Sequence, residues 1–255
     1  MKNKKFILGS TIFIMGFIGI LTLLTIQIPM DKMPKKMLDK FSSETIKLLT
    51  LINPTIILII SVVIGTILFD KVHLTVPTLS GIIQKNITTP QILKQLKSGI
   101  KAGAIGGIII VMITIIFMSY LPDEFKEVGE NYKLSKAARF LYGGFTEEII
   151  MRFGIMTLFV WIAAKVFGGL ANGAYIIGIV IAAMLFAVAH VPLAFLALSH
   201  TPSSALIIYI LIANFIAGTI FGWLYWKHGL EAAFVAHMFL HVIILITQQF
   251  ITLNI

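Results

Sequence analysis

Polar and apolar positions fall in long blocks along this chain. It opens on a basic stretch, residues 1–5 (MKNKK), followed by an uncharged apolar run from Phe6 to Met30. That run exceeds the about 7–15 residues of a secretory signal core, and no small-residue cleavage site follows it, so it predicts an uncleaved first membrane helix. Residues 31–47 mix acids and lysines. A second uncharged run covers about 48–69, with Pro54 in its first turns, where neighbouring helices can satisfy the freed carbonyl. The segment 70–96 is polar to amphipathic. Within it Thr89-Pro90 is a helix start, Thr as cap and Pro at the first helical position. Beyond it Ile92, Leu93, Leu96 and Ile100 share one face and Lys94, Lys97 and Lys101 another. That pattern predicts a helix lying in the membrane interface before the chain turns in as a third span at about 102–120. A charged loop, 121–137, precedes four more apolar runs, at about 138–167, 173–191, 203–226 and 229–252, broken by GGLANG, SHTPSS and KHG.

Every long run is too long for a strand and close to the about 20 residues that cross a bilayer, so the fold class is all-α: a polytopic helical bundle of seven, at most eight, spans. Two parts are expected: N-terminal spans with the interfacial segment at 1–137, and a helical core at 138–252. Composition agrees. The 255 residues are 58% hydrophobic and 12% charged, against about 45–50% and 25% for soluble domains, which excludes an ordinary soluble globule and a disordered chain. The absence of cysteine removes a disulfide framework, a thiol nucleophile and any Cys-ligated metal. The formal net charge of +9 would suggest nucleic acid for a soluble protein. Here the lysines sit between apolar runs, where they face headgroups, so membrane lipid is the expected partner and nucleic acid is not. Lys and Arg divide almost evenly between the two sides and set no orientation. There is no internal repeat.

The first three spans hold no ionisable residue, whereas the last four hold several. Span four carries Phe145-Thr146-Glu147-Glu148 and then Arg152; span five ends in Phe186-Ala187-Val188-Ala189-His190; span seven contains His237-Met238-Phe239-Leu240-His241. A charge at mid-bilayer costs roughly 2.5–3.5 kcal/mol on insertion scales, so such residues face the bundle interior and pair. Glu148 and Arg152 are four apart on one helical face, in the favoured order for an ion pair. Glu147 lies about 100° round and is left free. His237 with His241, and Phe186 with His190, share faces in the same way. Counted from the membrane side where span four begins, Glu147 is about 13 Å deep and His241 about 16 Å at 1.5 Å per residue; span five runs back toward that side. Each motif alone has a structural reading, as an ion pair, an interfacial histidine or a hydrogen-bonded helix pair. Together they describe one site. Trp223, Tyr225 and Trp226 are expected as an aromatic belt, and Asn214 as a bond across helices.

In order and spacing these three motifs resemble the CPBP family of intramembrane proteases, also called the CAAX-protease and bacteriocin-processing or Abi family, which includes the eukaryotic type II CAAX prenyl endopeptidase. The resemblance covers about residues 138–250. It implies that Glu147 and Glu148 are the paired glutamates, Arg152 the motif arginine, Phe186 and His190 the second motif, and His237 the first residue of the last. Where the family commonly has Asn, this chain has His241. The implied activity is cleavage of peptide bonds at or in the membrane, described for the family both as a metalloprotease and as glutamate-activated water.

The residues agree with peptide hydrolysis. With no Cys, and no Ser in the spans carrying the charged motifs, activated water remains. Glu147 is the expected general base, Glu148 is oriented by Arg152, His190 positions the water or binds metal, and His237 and His241 donate to the oxyanion. Met238 stands where a zincin has its Glu, so the base comes from span four. A divalent metal such as zinc on His190, His237, His241 and Glu147 stays open beside metal-free water activation; polar residues to steady each imidazole look few. The expected substrate is a membrane-associated protein or peptide, and the expected location a bacterial cell membrane. Two other classes remain: an inactive bacteriocin-immunity or binding scaffold, and a proton-coupled transporter, which would more often show a repeat.

Overall fold

The computed structural model describes residues 2–26, 35–131 and 134–252. All regular structure among them is helical: α1 (Lys2–Leu21), α2 (Lys35–Leu38), α3 (Ser43–Leu49), α4 (Ile52–Leu68), α5 (Pro77–Gln84), α6 (Thr89–Tyr120), α7 (Pro122–Asn131), two π-helices, π1 (Ala138–Glu147) and π2 (Ile149–Met156), then α8 (Thr157–Val166), α9 (Asn172–Ala197), α10 (Ser204–His228) and α11 (Leu230–Thr252). Seven stretches of the described residues are long and apolar enough to cross a membrane: Asn3–Thr25, Ser43–Val72, Thr89–Tyr120, Ala138–Val166, Asn172–Ala197, Ser204–His228 and Leu230–Gln249. The protein is an integral, multi-pass, all-helical membrane protein.

Several boundaries differ from the sequence expectation. The first helix gives way to a 3-10 turn at Thr22–Thr25; the rest of the run to Met30 lies outside the described residues. The second span starts earlier, because Ser42 accepts from Thr45 N and caps α3. The interfacial helix and the third span are one helix of 32 residues, α6, about 48 Å long. A capping box of Thr88 and Gln91 starts it, and no Pro or loop residue then breaks it, so its lysine-bearing turns continue the span instead of lying flat. α9 likewise runs on through Pro192 to Ala197. The expected loop 121–137 contains α7, whose Glu124 accepts from Ser203 N and Oγ and whose Asn131 donates to Ala197 O. α7 thereby fastens the connection between α9 and α10.

The seam between α6 and α11 explains how the last helix is placed. The buried face of α6 is Gln95, Gly99, Gly103, Gly106, Gly107 and Ile110. A Cβ on Gly103 would lie 2.4 Å from Ala236 O, and one on Gly107 2.7 Å from Ile243 Cβ. Small residues at four-residue spacing let helix backbones touch, the usual route to packing where lipid offers no hydrophobic drive. Span four is locked as closely from the other side: Thr146 Oγ1 donates to Gly16 O at 2.7 Å, and Phe153 of π2 packs against Gly65 of α4. The N-terminal helices therefore hold two of the three helices that carry the motifs, span four and α11.

Candidate active site

Span four was expected as an α-helix; it is π-helical from Ala138 to Met156, interrupted at Glu148, and α-helical from Thr157 on. Bonds reach five residues instead of four, a form that is rare in long runs and recurs at functional sites. Thr157 supports the wide turn by donating its hydroxyl to Arg152 O at 3.1 Å and meeting Tyr225 Oη at 3.1 Å.

The Glu148–Arg152 pair forms as the spacing implied. Arg152 Nε lies 3.2 Å from Glu148 Oε2, with both side chains fully buried. Arg152 also donates to Gly218 O at 3.0 Å, and its guanidinium sits over the rings of Phe186 and Phe221, 4.9 and 5.4 Å from their centroids. Two aromatic faces and a carbonyl thus share the cation with the carboxylate. The other oxygen of Glu148 accepts from His237 Nδ1 at 2.8 Å. Glu148 is accordingly a structural hub, clamping α11 to span four.

Glu147 points elsewhere and stays partly exposed. Its Oε1 is 4.0 Å from His190 Nε2 and its Oε2 3.8 Å from His237 Nε2. His190 Nδ1 lies 2.8 Å from Phe186 O. A carbonyl can only accept, so Nδ1 carries the proton, and Nε2 faces Glu147 with its lone pair in the neutral ring. Phe186, four residues earlier, stacks edge-on against His190 at 4.5 Å and lies 6.1 Å from His237. His241 tilts against His237 with centroids 5.1 Å apart, and its Nδ1 is buried with no hydrogen-bond partner. All six expected site residues, with Phe186, therefore come together.

Three contributors escaped the sequence reading. Phe221 stacks on His237 at 4.7 Å and 20°. Gly218 supplies the carbonyl for Arg152. Gly143 faces both imidazoles of α11: a Cβ there would lie 3.2 Å from His237 Nε2 and 3.2 Å from His241 Nε2. The pair Gly143-Gly144, one turn before Glu147, was the available signal. The expected aromatic belt also divides. Trp223 is exposed and Trp226 stacks on Tyr175, but Tyr225 is fully buried, its hydroxyl turned to Thr157. Asn214 bonds within its own helix, to Ile210 O.

The donor chemistry suits a metal better than the sequence suggested, because Phe186 O and Glu148 steady two imidazoles through Nδ1 in the manner of metal-site histidines. The spacing does not. Among the described residues no three His, Asp or Glu side chains close on one point as metal ligands. As placed, the residues do not fit a bound ion.

The arrangement offers a base beside two imidazoles, the side-chain-free face of Gly143 against two ring nitrogens, and a desolvated ion pair holding the parts together. The family type II CAAX prenyl endopeptidase Rce1-like matches residues 132–243. Residues 132–243 are thus similar to an Rce1-like domain. The match supports the CPBP and CAAX-protease resemblance read from the motifs, and every residue of the site lies within the Rce1-like segment. No curated protein and no solved structure matches the chain.

Proposed function

We propose that this protein is an intramembrane endopeptidase that hydrolyses peptide bonds of membrane-associated proteins or peptides through water activated by Glu147. The observation that carries the reading is one carboxylate flanked by two imidazoles, Glu147 facing His190 Nε2 with one oxygen and His237 Nε2 with the other.

Gaps of 3.8–4.0 Å are too long for direct hydrogen bonds and suit a bridging water. That water gives one hydrogen to Glu147 and the other to the His190 Nε2 lone pair. As its oxygen bonds to the scissile carbonyl carbon, Glu147 takes the proton and the carbonyl π pair moves onto oxygen. The oxyanion settles beside Gly143. There His241, in its Nε2–H tautomer, donates to it. His237 can add a second donor. His237 keeps its Nδ1–H on Glu148 and offers Nε2–H toward the oxyanion in its doubly protonated form. The leaving nitrogen then takes the proton from Glu147 as the C–N bond breaks. Glu148 and Arg152 hold His237 in place. No step requires a metal, and the ligand spacing supports that choice.

Within this reading the chain is a bacterial cell-membrane enzyme, a placement resting on its cysteine-free, lysine-rich, strongly apolar sequence. The test compares membrane and secreted peptides, by mass spectrometry, from cells carrying the wild type and Glu147→Gln. Cleavage products present only with the wild type are expected. Identical peptide sets would overturn hydrolysis and leave a binding scaffold or a proton-coupled transporter. Metal content of the purified protein, with activity after chelation, separates the two forms of water activation: a stoichiometric ion required for cleavage would replace the metal-free form.

A further inference from the structure

Away from the Rce1-like site, where α10 stops and α6 and α11 begin, the bundle holds a cavity of about 620 Å³. None of the active-site residues lines it. Its walls come from the end of the second span, from the connection 73–76, from α5, from the first turns of α6 and from the last two residues of α10. These are span ends and the segment joining two of them, on one side of the bundle, the depth of lipid headgroups.

Its chemistry is that of an anion site. Lys94 and Lys227 line it, and the ammonium of Lys227 is held over the face of Trp226, 3.4 Å from the ring centroid. Asp70, the acid among its described lining residues, is ion-paired with Lys5. The cavity is therefore left with excess positive charge. A second observation points to a ligand. Gln95 lines the same cavity, is only 6% exposed, and its Oε1 has no hydrogen-bond partner. A buried amide without a partner is costly. Its two ends offer one acceptor and one donor group, whichever way the amide is turned. Leu74, Val76 and Pro77 supply an apolar wall.

We propose that this cavity binds the headgroup of an anionic phospholipid that carries hydroxyls, of the phosphatidylglycerol type. The phosphodiester lies between Lys94 and Lys227, a headgroup hydroxyl satisfies Gln95, and the glycerol backbone rests on the apolar wall. The ligand bridges the N-terminal helices and the Rce1-like segment. Next to it Leu230 N donates to Thr75 O at 3.1 Å, and Glu231 Oε1 accepts from Leu79 N at 2.8 Å. These bonds fix the start of α11, seven residues before His237. An occupied cavity therefore braces the helix that completes the active site.

The test is native mass spectrometry and thermal unfolding of the full-length, detergent-purified protein in the Glu147→Gln background, so the result does not depend on proteolysis. The probes are phosphatidylglycerol, phosphatidylcholine and inorganic phosphate. Retained phosphatidylglycerol and a raised unfolding temperature with that lipid alone are expected. Lys94→Gln with Lys227→Gln should weaken its binding about thirtyfold, roughly fivefold for each lysine near an anionic group. Gln95→Leu, which keeps an apolar helix face, should weaken it with both lysines present. Equal retention of phosphatidylcholine, an equal shift with inorganic phosphate, or unchanged binding in the lysine pair and in Gln95→Leu would each overturn the proposal.

Discussion

Gly143→Ala separates packing from chemistry at this site more cleanly than any change to a charged residue. Gly143 has negative φ, unlike Gly168 and Gly229 at +71° and +102°, so alanine fits its backbone. A helical Gly→Ala exchange is worth up to about 1 kcal/mol of added stability, or roughly 2–4 °C in melting temperature for a chain near this size. The new methyl would meet His237 Nε2 and His241 Nε2, each at 3.2 Å, a tight contact that consumes part of that gain. Melting in detergent should consequently stay within a few degrees of wild type. Turnover should not. The methyl occupies the point from which an oxyanion reaches both ring nitrogens, and losing one such donor costs ~10²–10³-fold in kcat. The assay is cleavage of a peptide identified by the Glu147→Gln comparison, with kcat and KM measured separately. kcat should fall while KM changes little. Gly106→Ala in α6 is the matched comparison: its methyl also meets a neighbour at 3.2 Å, but that neighbour is Ile220 Cδ1, the far end of a flexible side chain, and the variant should retain most activity. Wild-type kcat in Gly143→Ala would refute the placement of the oxyanion.

Glu147→Gln should leave expression and insertion intact and lower kcat by at least the ~10²–10⁴-fold of a lost general base, measured on the same peptide. Arg152→Ala strands Glu148 in a dry interior at about 3–5 kcal/mol, so melting should drop by on the order of 10 °C with loss of cleavage; an unchanged melting curve would contradict the burial. The double change Glu148→Gln with Arg152→Gln removes both charges and should recover much of that stability but not activity, since His237 loses its carboxylate. Gly103→Leu forces α6 away from Ala236, displacing His237 and His241, and should abolish cleavage and weaken the fold; full activity would show that the seam does not position α11.

The order Glu147-Glu148, Arg152, His190, His237, His241 was enough to place one site in the bundle, because buried charge in lipid has few alternatives to pairing. Helical spacing also identified the ion pair. It did not identify Glu148 as the shared partner of Arg152 and His237, since that contact joins residues 89 apart and is set by how α11 lies on span four. The partners of His190 and His237 were underestimated for a related reason: one is a backbone carbonyl, to which side-chain composition is blind. The π-helix was illegible because local propensity favours the α form, and what sustains the wide turn is tertiary, Thr157 with Tyr225 and Thr146 with Gly16. The split expected within α6 failed because amphipathic spacing after Thr89 reads the same for a surface helix and for the first turns of a long span. The glycines of its buried stripe carried the better information.

That glycine seam bears on portability. The Rce1-like segment begins at residue 132, yet α11 is seated by Gly99, Gly103 and Gly107, which precede it in the chain. Excised or grafted onto foreign spans, the segment would present the backbone of Ala232 and Ala236 to acyl chains, with both imidazoles of α11 free to rotate off register. A working chimera must therefore bring α6 along, and the smallest transferable unit of this enzyme starts no later than Thr89.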